Sequence, residues 1–262
     1  MTTPRLRVYV ALASVVTVVL ASGRTGGAEP LRTLAPGIIQ VGTYFVNPPF
    51  EYTAEGARVG FEVDLMAAVA RRLGLKLVFA NTHWETILKE MQEGRYDCIV
   101  GGITITPTRE RALAWSIPYL TTTLSLVVNG AKTPAIHSLA DMRRASVGVQ
   151  AATTDYDAAL AMQRRGEIAR IRIYPFDRIE KAVADLESGR ITAVMKVTPV
   201  AAWLAAKSPD LRIVARVPND PQPLGIGFGR NEPALVAAVN DVLAAMQRDG
   251  SLQRLKKKWG VL

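Results

Sequence analysis

Residues Gly94 to Arg109, with the sequence GRYDCIVGGITITPTR, combine groups that could hold a carboxylate. An apolar run of strand length, YDCIV, leads into Gly101 and Gly102, where a backbone can come close to a bound molecule. Thr104 follows with a hydroxyl group, and Arg109 carries a planar guanidinium group that can donate two parallel hydrogen bonds to one carboxylate. The alternative is a surface turn in which Arg109 forms an ordinary salt bridge, so the interpretation depends on the rest of the chain.

The first 28 residues predict a secretory signal peptide that is cleaved after Ala28. Arg5 and Arg7 precede an apolar run from Val8 to Ala21, and small residues follow. This run has 14 residues, whereas a membrane-spanning helix needs about 20. We therefore expect the protein to be exported.

Composition argues against a nucleic-acid partner and against a fold held by disulfides. The formal charge of +9 falls to +6 when Arg5, Arg7 and Arg24 leave with the signal peptide. The one run of three basic residues, KKK at 256–258, lies in a predicted terminal helix as its solvated face. Cys98 is the single cysteine, so a packed core must stabilise the chain, and 262 residues are enough to build one.

From residue 38 the chain alternates apolar runs of strand length with segments of helical periodicity. This α/β pattern predicts parallel strands with helices on the faces of the sheet, and ligands bind beyond the carboxyl ends of such strands. The pattern runs from IIQVGTY to YDCIVGG and again from SVGVQA to RITAVMKV. A local repeat, ILKEMQEGRYDCIVGGIT against AVADLESGRITAVMKVT, indicates two similar lobes, although two αβ turns can also resemble each other by chance.

The boundaries follow from the segments between these units. We predict a first lobe from residues 29–123 and 225–262 and a second lobe from residues 124–224. Two extended segments, YLTTTLSLVVNG and PLGIGFGRNEP, are expected to cross between the lobes, and the helical C-terminal segment is expected to return to the first lobe. Two lobes joined by two crossings allow a hinge to close around a ligand.

Together these segments resemble the bacterial extracellular solute-binding proteins of family 3, the amino-acid-binding receptors of ATP-driven importers. The resemblance covers nearly all of the chain after the signal peptide and rests on VGTYFVNPPFEY, GFEVDLMAAVARRLG, WETILKEMQEGRYDCIVGGITITPTRERA, SIPYL, VGVQAATT, SGRITAVMKVTPVAAWL and the closing KKWG. It implies a type II periplasmic binding protein, with two Rossmann-like α/β lobes joined by a two-crossing hinge. It also implies a monomer in the periplasm that binds a small molecule with a carboxylate, delivers it to an inner-membrane ABC permease and needs no cofactor.

The resemblance implies a set of ligand contacts. Arg109 matches the arginine that binds the ligand's α-carboxylate, with the hydroxyl group of Thr104 and the backbone at Gly101 and Gly102 beside it. Trp84 matches the shelf for the ligand side chain. The full set is Tyr44, Asn47, Trp84, Gly101, Gly102, Thr104, Arg109, Gln150, Thr153, Thr154, Lys196 and Val197.

The remaining matches lie in two loops. Tyr44 and Asn47 match a first-lobe loop that often carries an aromatic residue covering the ligand. Gln150, Thr153 and Thr154 match a turn from strand to helix in the second lobe, whose amides and hydroxyl group are implied to complete the carboxylate site. The N-terminus of a helix favours such a negative charge.

One position departs from the family pattern. The family usually has an aspartate in the second lobe, in a string such as VGDSPVAAY, that pairs with the ligand's α-ammonium group. This chain has VMKVTPVAAW, which places Val197 there and Lys196 before it. Either another acid, Asp155 or Glu51, supplies the missing charge, or the ligand has no ammonium group and is a keto acid, hydroxy acid, aromatic acid or dicarboxylate. Lys196 either faces the cleft with Arg109 or extends to the rim.

The enzyme alternative is a periplasmic dehydratase similar to cyclohexadienyl dehydratase, in which a second-lobe carboxylic acid protonates a leaving hydroxyl group. The segment from Lys196 to Ala202 contains no carboxylate, and Val200 lies near the position expected for that acid. The two histidines, His83 and His137, are too few to predict a metal cluster. We therefore expect a binding protein without catalytic residues, metal or cofactor.

Overall fold

Two five-stranded sheets organise residues 31–262, the part of the chain that the computed structural model describes apart from the side chain of Asn219. The predicted signal peptide, residues 1–28, lies outside these described residues. The strands are β1 (Ile38–Thr43), β2 (Val46–Asn47), β3 (Glu51–Ala54), β4 (Ala57–Val59), β5 (Lys76–Asn81), β6 (Cys98–Ile99), β7 (Ala114–Trp115), β8 (Leu120–Asn129), β9 (Ser146–Gln150), β10 (Arg170–Tyr174), β11 (Ala193–Val197), β12 (Leu211–Leu224) and β13 (Gly227–Phe228). The helices are α1 (Phe61–Leu73), α2 (Trp84–Gln92), α3 (Pro107–Ala112), α4 (Thr154–Arg164), α5 (Ile179–Glu187), α6 (Thr198–Ala205), α7 (Pro233–Arg248) and α8 (Ser251–Trp259), with 3₁₀ turns at Leu139–Arg144 and Phe176–Arg178.

Each large sheet has three neighbouring parallel strands at one side. The remaining two strands pair antiparallel with their neighbours. The first sheet has the order β5-β1-β6-β13-β7, and β1 runs parallel to β5 and β6. The second sheet has the order β10-β9-β11-β8-β12, and β9 runs parallel to β10 and β11. The predicted α/β class with two similar units is confirmed, and the parallel strands in each sheet direct their carboxyl ends toward one site.

The long strands β8 and β12 form the connection between the sheets. They pair antiparallel from Leu211 opposite Asn129 to Leu224 opposite Leu120, with register shifts along the way. At its end, β12 reaches the segment that follows β6 of the first sheet, because Leu224 forms an isolated bridge with Thr104. The second extended segment was predicted at PLGIGFGRNEP, but the strand begins earlier. Proline has no backbone N–H group to donate to a neighbouring strand. The prolines of β12 are tolerated because β12 is an edge strand, which has a neighbouring strand on one side only.

The helical C-terminal segment consists of two helices instead of one. Gly250, in the left-handed conformation with φ of 74°, separates α7 from α8. Both helices pack on α1, and Asp64 of α1 accepts hydrogen bonds from Lys258 and Trp259. No helix among the described residues is long and apolar enough to cross a membrane.

Candidate functional site

A cavity between the two sheets collects residues that follow the carboxyl ends of six parallel strands. Strands β1, β5 and β6 lead into its first wall, and β9, β10 and β11 lead into its second wall. Eleven of the twelve positions predicted for the ligand line this cavity, and Gln150 lies behind it. The lining residues are Tyr44, Asn47, Trp84, Gly101, Gly102, Thr104, Arg109, Thr153, Thr154, Asp155, Phe176, Lys196 and Val197.

Arg109 enters the cavity from the short helix α3. Thr106 caps this helix by accepting a hydrogen bond of 3.2 Å from the Arg109 amide, which orients the arginine at the first turn. The guanidinium Nη1 donates to the Thr104 carbonyl at 2.9 Å, and Nη2 donates to the Ala152 carbonyl of the second wall at 3.4 Å. Burial lowers the pKa of Arg109, but an arginine remains protonated in proteins. These two bonds use two of the five N–H donors of the Arg109 guanidinium group, and three remain.

Three aromatic rings form the apolar part of the cavity. Trp84 and Phe176 stack with ring centroids 5.0 Å apart, and Tyr44 presents an edge to both of them. The Arg109 guanidinium carbon lies 5.0 Å from the Trp84 ring centroid. Phe176 was missed in the sequence, although it follows the predicted strand ARIRIYP, and the position after a parallel strand is a signal that could have identified it.

Lys196 and Asp155 form a buried ion pair at the second wall. The Lys196 ammonium lies 2.6 Å from Asp155 Oδ2, and their side chains are 5% and 2% exposed. Its Nζ also donates to Gln150 Oε1 at 2.8 Å, and the Gln150 amide donates to the Phe176 carbonyl. The possibility that Lys196 reaches the rim is wrong, because β11 lies between β8 and β9 and all five of its residues are buried.

The structure also places the two acids that could replace the missing aspartate. Asp155 lines the cavity, but its carboxylate is engaged by Lys196. Glu51 is fully buried in β3 and faces Glu62 behind the cavity wall. Neither acid therefore presents an unpaired negative charge to a ligand.

The Gly101–Gly102 loop is held from behind by polar groups. Both carboxylate oxygens of Glu62 accept from the Gly102 amide, at 2.9 and 3.0 Å. The Gly101 carbonyl accepts from the Tyr44 hydroxyl and from Asn47 Nδ2. The Gly102 amide thus points toward Glu62, and this loop contributes its shape and its close approach to the cavity.

Glu51 and Glu62 form a pair of buried carboxyl groups that cannot both be charged. Burial, followed by the neighbouring Glu62 charge, raises the pKa of Glu51 well above its usual range. Burial also raises the pKa of Glu62, but hydrogen bonds from Tyr119 and Gly102 oppose this effect. Because these donors favour the carboxylate form of Glu62, the proton of the pair is favoured on Glu51.

A second cavity, of about 690 Å³, adjoins the first through Thr104 and Thr154, which line both. Its wall includes Pro218 and Pro221 of β12 and two acids, Asp157 and Asp220. Within the described residues, no group of three or more His, Cys, Asp or Glu side chains could hold a metal ion.

Two α/β units that enclose a small polar and aromatic cavity between their sheets are typical of proteins that bind a small molecule. Residues 39–261 match the family model of bacterial extracellular solute-binding proteins, family 3, and the chain belongs to this family. Its fold is that of type II periplasmic binding proteins.

Three similar proteins illustrate the relationship. The L-cystine-binding protein TcyJ of Escherichia coli (strain K12) is 29% identical over 224 residues, covering 85% of this chain and 82% of the relative. An ancestral arginine-binding protein bound to arginine is 30% identical with a TM-score of 0.77, over 85% of this chain and 98% of that one. The ancestral amino acid-binding protein AncCDT-1, a precursor of cyclohexadienyl dehydratase, is 32% identical with a TM-score of 0.74, over 85% and 95%. By their names, all three are binding proteins.

The Glu51–Glu62 pair predicts how stability depends on pH. The pKa of Glu51 is higher in the folded state than in the unfolded state, where it is about 4.3. The unfolded chain therefore binds fewer protons above that pH, and the free energy of unfolding falls as pH rises, by up to about 1.4 kcal/mol per pH unit. Glu51→Gln keeps the hydrogen-bond donor and removes the titration. We expect it to be more stable than wild type at pH 8 and to lose this advantage near pH 4.

Urea unfolding at pH 4, 6 and 8 measures this difference. Glu110→Gln, a change at an exposed glutamate, is the matched control and should follow the wild type at each pH. If Glu51→Gln has the same pH dependence as wild type, the assignment of the proton to Glu51 is wrong.

A second prediction concerns the close approach at Gly101. A Cβ atom there would lie 2.3 Å from the Tyr44 hydroxyl oxygen, and the φ angle of 157° disfavours a side chain. Gly101→Ala should destabilise the protein by about 1–3 kcal/mol and displace the Tyr44 ring. Gly94→Ala is the control, because Gly94 also has a positive φ but has nothing within 4 Å of the added Cβ. Equal losses of stability in the two variants would contradict a role for the Tyr44 contact.

Proposed function

We propose that the protein is a periplasmic receptor that captures a small carboxylate-bearing ligand, an amino acid or a related organic acid, between two lobes. Residues 29–123 and 225–262 form the first lobe in this proposal, and residues 124–224 form the second. The receptor acts as a monomer and delivers its ligand to the inner-membrane permease of an ABC importer. Its ligand site consists of the residues that line the cavity between the two sheets.

The observation that carries this proposal is the uncompensated charge of Arg109. Within residues 31–262, Arg109 forms no salt bridge, and its two hydrogen bonds go to backbone carbonyls. Of the two nearby acids, Asp155 is engaged by Lys196, and Asp157 lines the adjoining cavity and forms no salt bridge with Arg109. A half-buried guanidinium group needs a negative partner, and a ligand carboxylate fits its remaining donors in a planar, two-bond geometry.

In this proposal the two lobes close around the ligand, because residues of the first wall contact the second wall. Trp84 Nε1 donates to the Ala151 carbonyl at 3.1 Å, and Arg109 reaches the neighbouring Ala152 carbonyl, so both residues contact the opposite wall. The cavity has a volume of about 30 Å³, so a ligand enters only when the walls separate. Strands β8 and β12 are the hinge in this proposal. Ligand binding shifts the protein toward closure by no more than its preference for the closed state.

Delivery to an importer is supported by family membership. TcyJ is named for cystine binding, and the ancestral structures are named for arginine or amino acid binding. An arginine-binding relative from Escherichia coli (strain K12) is named as part of an ABC transporter. A binding role rather than a catalytic one is also favoured by the cavity, because Asp155, the carboxyl group that lines it, accepts a hydrogen bond from Lys196.

Arg109→Ala should remove ligand binding and leave the protein folded. Losing a two-bond contact between charged groups should weaken binding by about 100-fold or more. A thermal-shift screen with amino acids, 2-oxo acids and dicarboxylates first identifies a stabilising compound. At about 100 times the dissociation constant, a ligand stabilises by about 2.7 kcal/mol, or roughly 5–10 °C for a chain of this size. The same compound should not stabilise Arg109→Ala.

Arg111→Ala is the matched control, since Arg111 lies on the same helix and is exposed. It should retain the full thermal shift. If Arg109→Ala binds the identified compound as tightly as wild type, the proposed site is wrong. If no carboxylate in the screen stabilises the wild type, the proposed ligand class fails.

A further inference from the structure

Three charged side chains line the ligand cavity: Arg109, Asp155 and Lys196. The acids Glu51 and Glu62 do not line this cavity, because they lie behind the Gly101–Gly102 loop, where the Glu62 carboxylate accepts hydrogen bonds from the Gly102 amide and the Tyr119 hydroxyl. The lining therefore carries one positive charge in excess. This excess belongs to Arg109, because Asp155 and Lys196 neutralise each other at 2.6 Å.

The Lys196–Asp155 pair is built into the fold from two directions. Lys196 extends from the buried strand β11, and Asp155 lies in the first turn of α4, which Thr153 caps. Gln150 accepts from Lys196 and donates to the Phe176 backbone, so the lysine is tied to two elements besides its own. Its Nζ also lies 5.7 Å from the Phe176 ring centroid. The lysine ammonium occupies the place where an acidic residue could otherwise have received a positive group of the ligand.

From this charge arrangement we infer that the site selects a monocarboxylate that carries no ammonium group and has an apolar or aromatic tail. This inference rests on the proposed function. A ligand with one negative charge neutralises the excess charge on Arg109. An amino acid adds an ammonium group that finds Asp155 already paired and meets Lys196 as a like charge, which is costly in a buried site.

The tail preference follows from the aromatic wall. Tyr44, Trp84 and Phe176 form this wall, and a flat or apolar group can lie against their faces once the walls separate. The carboxylate end lies at Arg109 and the ammonium-free α-position lies toward Lys196. A 2-oxo group suits that position, because the lysine is a hydrogen-bond donor and has no acceptor.

Matched pairs of compounds test the inference directly. Phenylpyruvate and L-phenylalanine differ in the 2-oxo and 2-ammonium groups, as do 4-methyl-2-oxopentanoate and L-leucine. Isothermal titration calorimetry on the purified protein should give dissociation constants for the oxo acids that are lower than those of their amino acids by on the order of 100-fold. L-Arginine, added as a cationic amino acid, should also bind more weakly than either oxo acid.

Lys196→Met should reverse this preference. The substitution leaves Asp155 without its partner, so the ammonium group of L-phenylalanine or L-leucine can now pair with it, and the preference should move toward the amino acids by at least about 100-fold. Lys181→Met, at an exposed lysine of α5, is the control and should keep the wild-type order. The double variant Lys196→Met with Asp155→Asn removes both charges, so it contains no unpaired carboxylate at this place. It should lose the gain in amino acid binding that Lys196→Met shows.

The outcomes separate this inference from the proposed function. An amino acid that binds wild type more tightly than its oxo partner, or failure of both oxo acids to bind, overturns the inference. The proposed function still stands in those cases when another carboxylate binds and Arg109→Ala removes its binding. An unchanged order of affinities in Lys196→Met, or a double variant that binds the amino acids as tightly as Lys196→Met does, also overturns the inference.

Discussion

Charged groups buried between the two sheets need counter-charges, because few water molecules fit in a cavity of about 30 Å³. This constraint determines which charged side chains of the site are paired and which is left for a ligand. Burying an unpaired ion is expensive, whereas a paired and hydrogen-bonded ion is tolerated. Lys196 and Asp155 meet this requirement inside the protein, since each provides the other's counter-charge. Arg109 does not meet it within the described residues, because its bonds reach backbone carbonyls only. The unbalanced group is therefore the one that defines what the cleft can accept.

Behind the first wall, a different electrostatic arrangement holds the backbone in place. The Gly101–Gly102 loop has no side chains with which to anchor itself, so its amide and carbonyl groups are held by neighbours. Glu62 accepts from the Gly102 amide, and Tyr44 donates to the Gly101 carbonyl. Burial beside this carboxylate raises the pKa of Glu51 well above its usual range, which favours the protonated form of Glu51. The buried Glu62 carboxylate thus supports the shape of a loop that lines the cavity.

Several features could be predicted from residue patterns. The strand IIQVGTY and the helix DLMAAVARRLG are strongly periodic, and both occur near where they were expected, although α1 begins three residues earlier, at Phe61. Trp84, which begins α2, lies in the cavity because it follows a parallel strand, and position in an α/β unit is readable from the chain. The strand at YDCIVGG is shorter than predicted, since β6 contains two residues before the chain turns at Gly101. The edge strand β12 was less visible because proline weakens any strand signal.

The sequence by itself determined the α/β units, the family and the presence of an arginine beside a glycine loop, because these depend on local periodicity and on residue types close together in the chain. Only the tertiary structure decided the partners of Lys196. Asp155 and Gln150 lie 41 and 46 residues away from it along the chain, and the choice between a free and a paired carboxylate depends on a distance of 2.6 Å. The position of Phe176 after a parallel strand is readable from the chain, but its contact with Trp84 at 5.0 Å depends on how the two sheets pack and leaves no periodic pattern in the sequence.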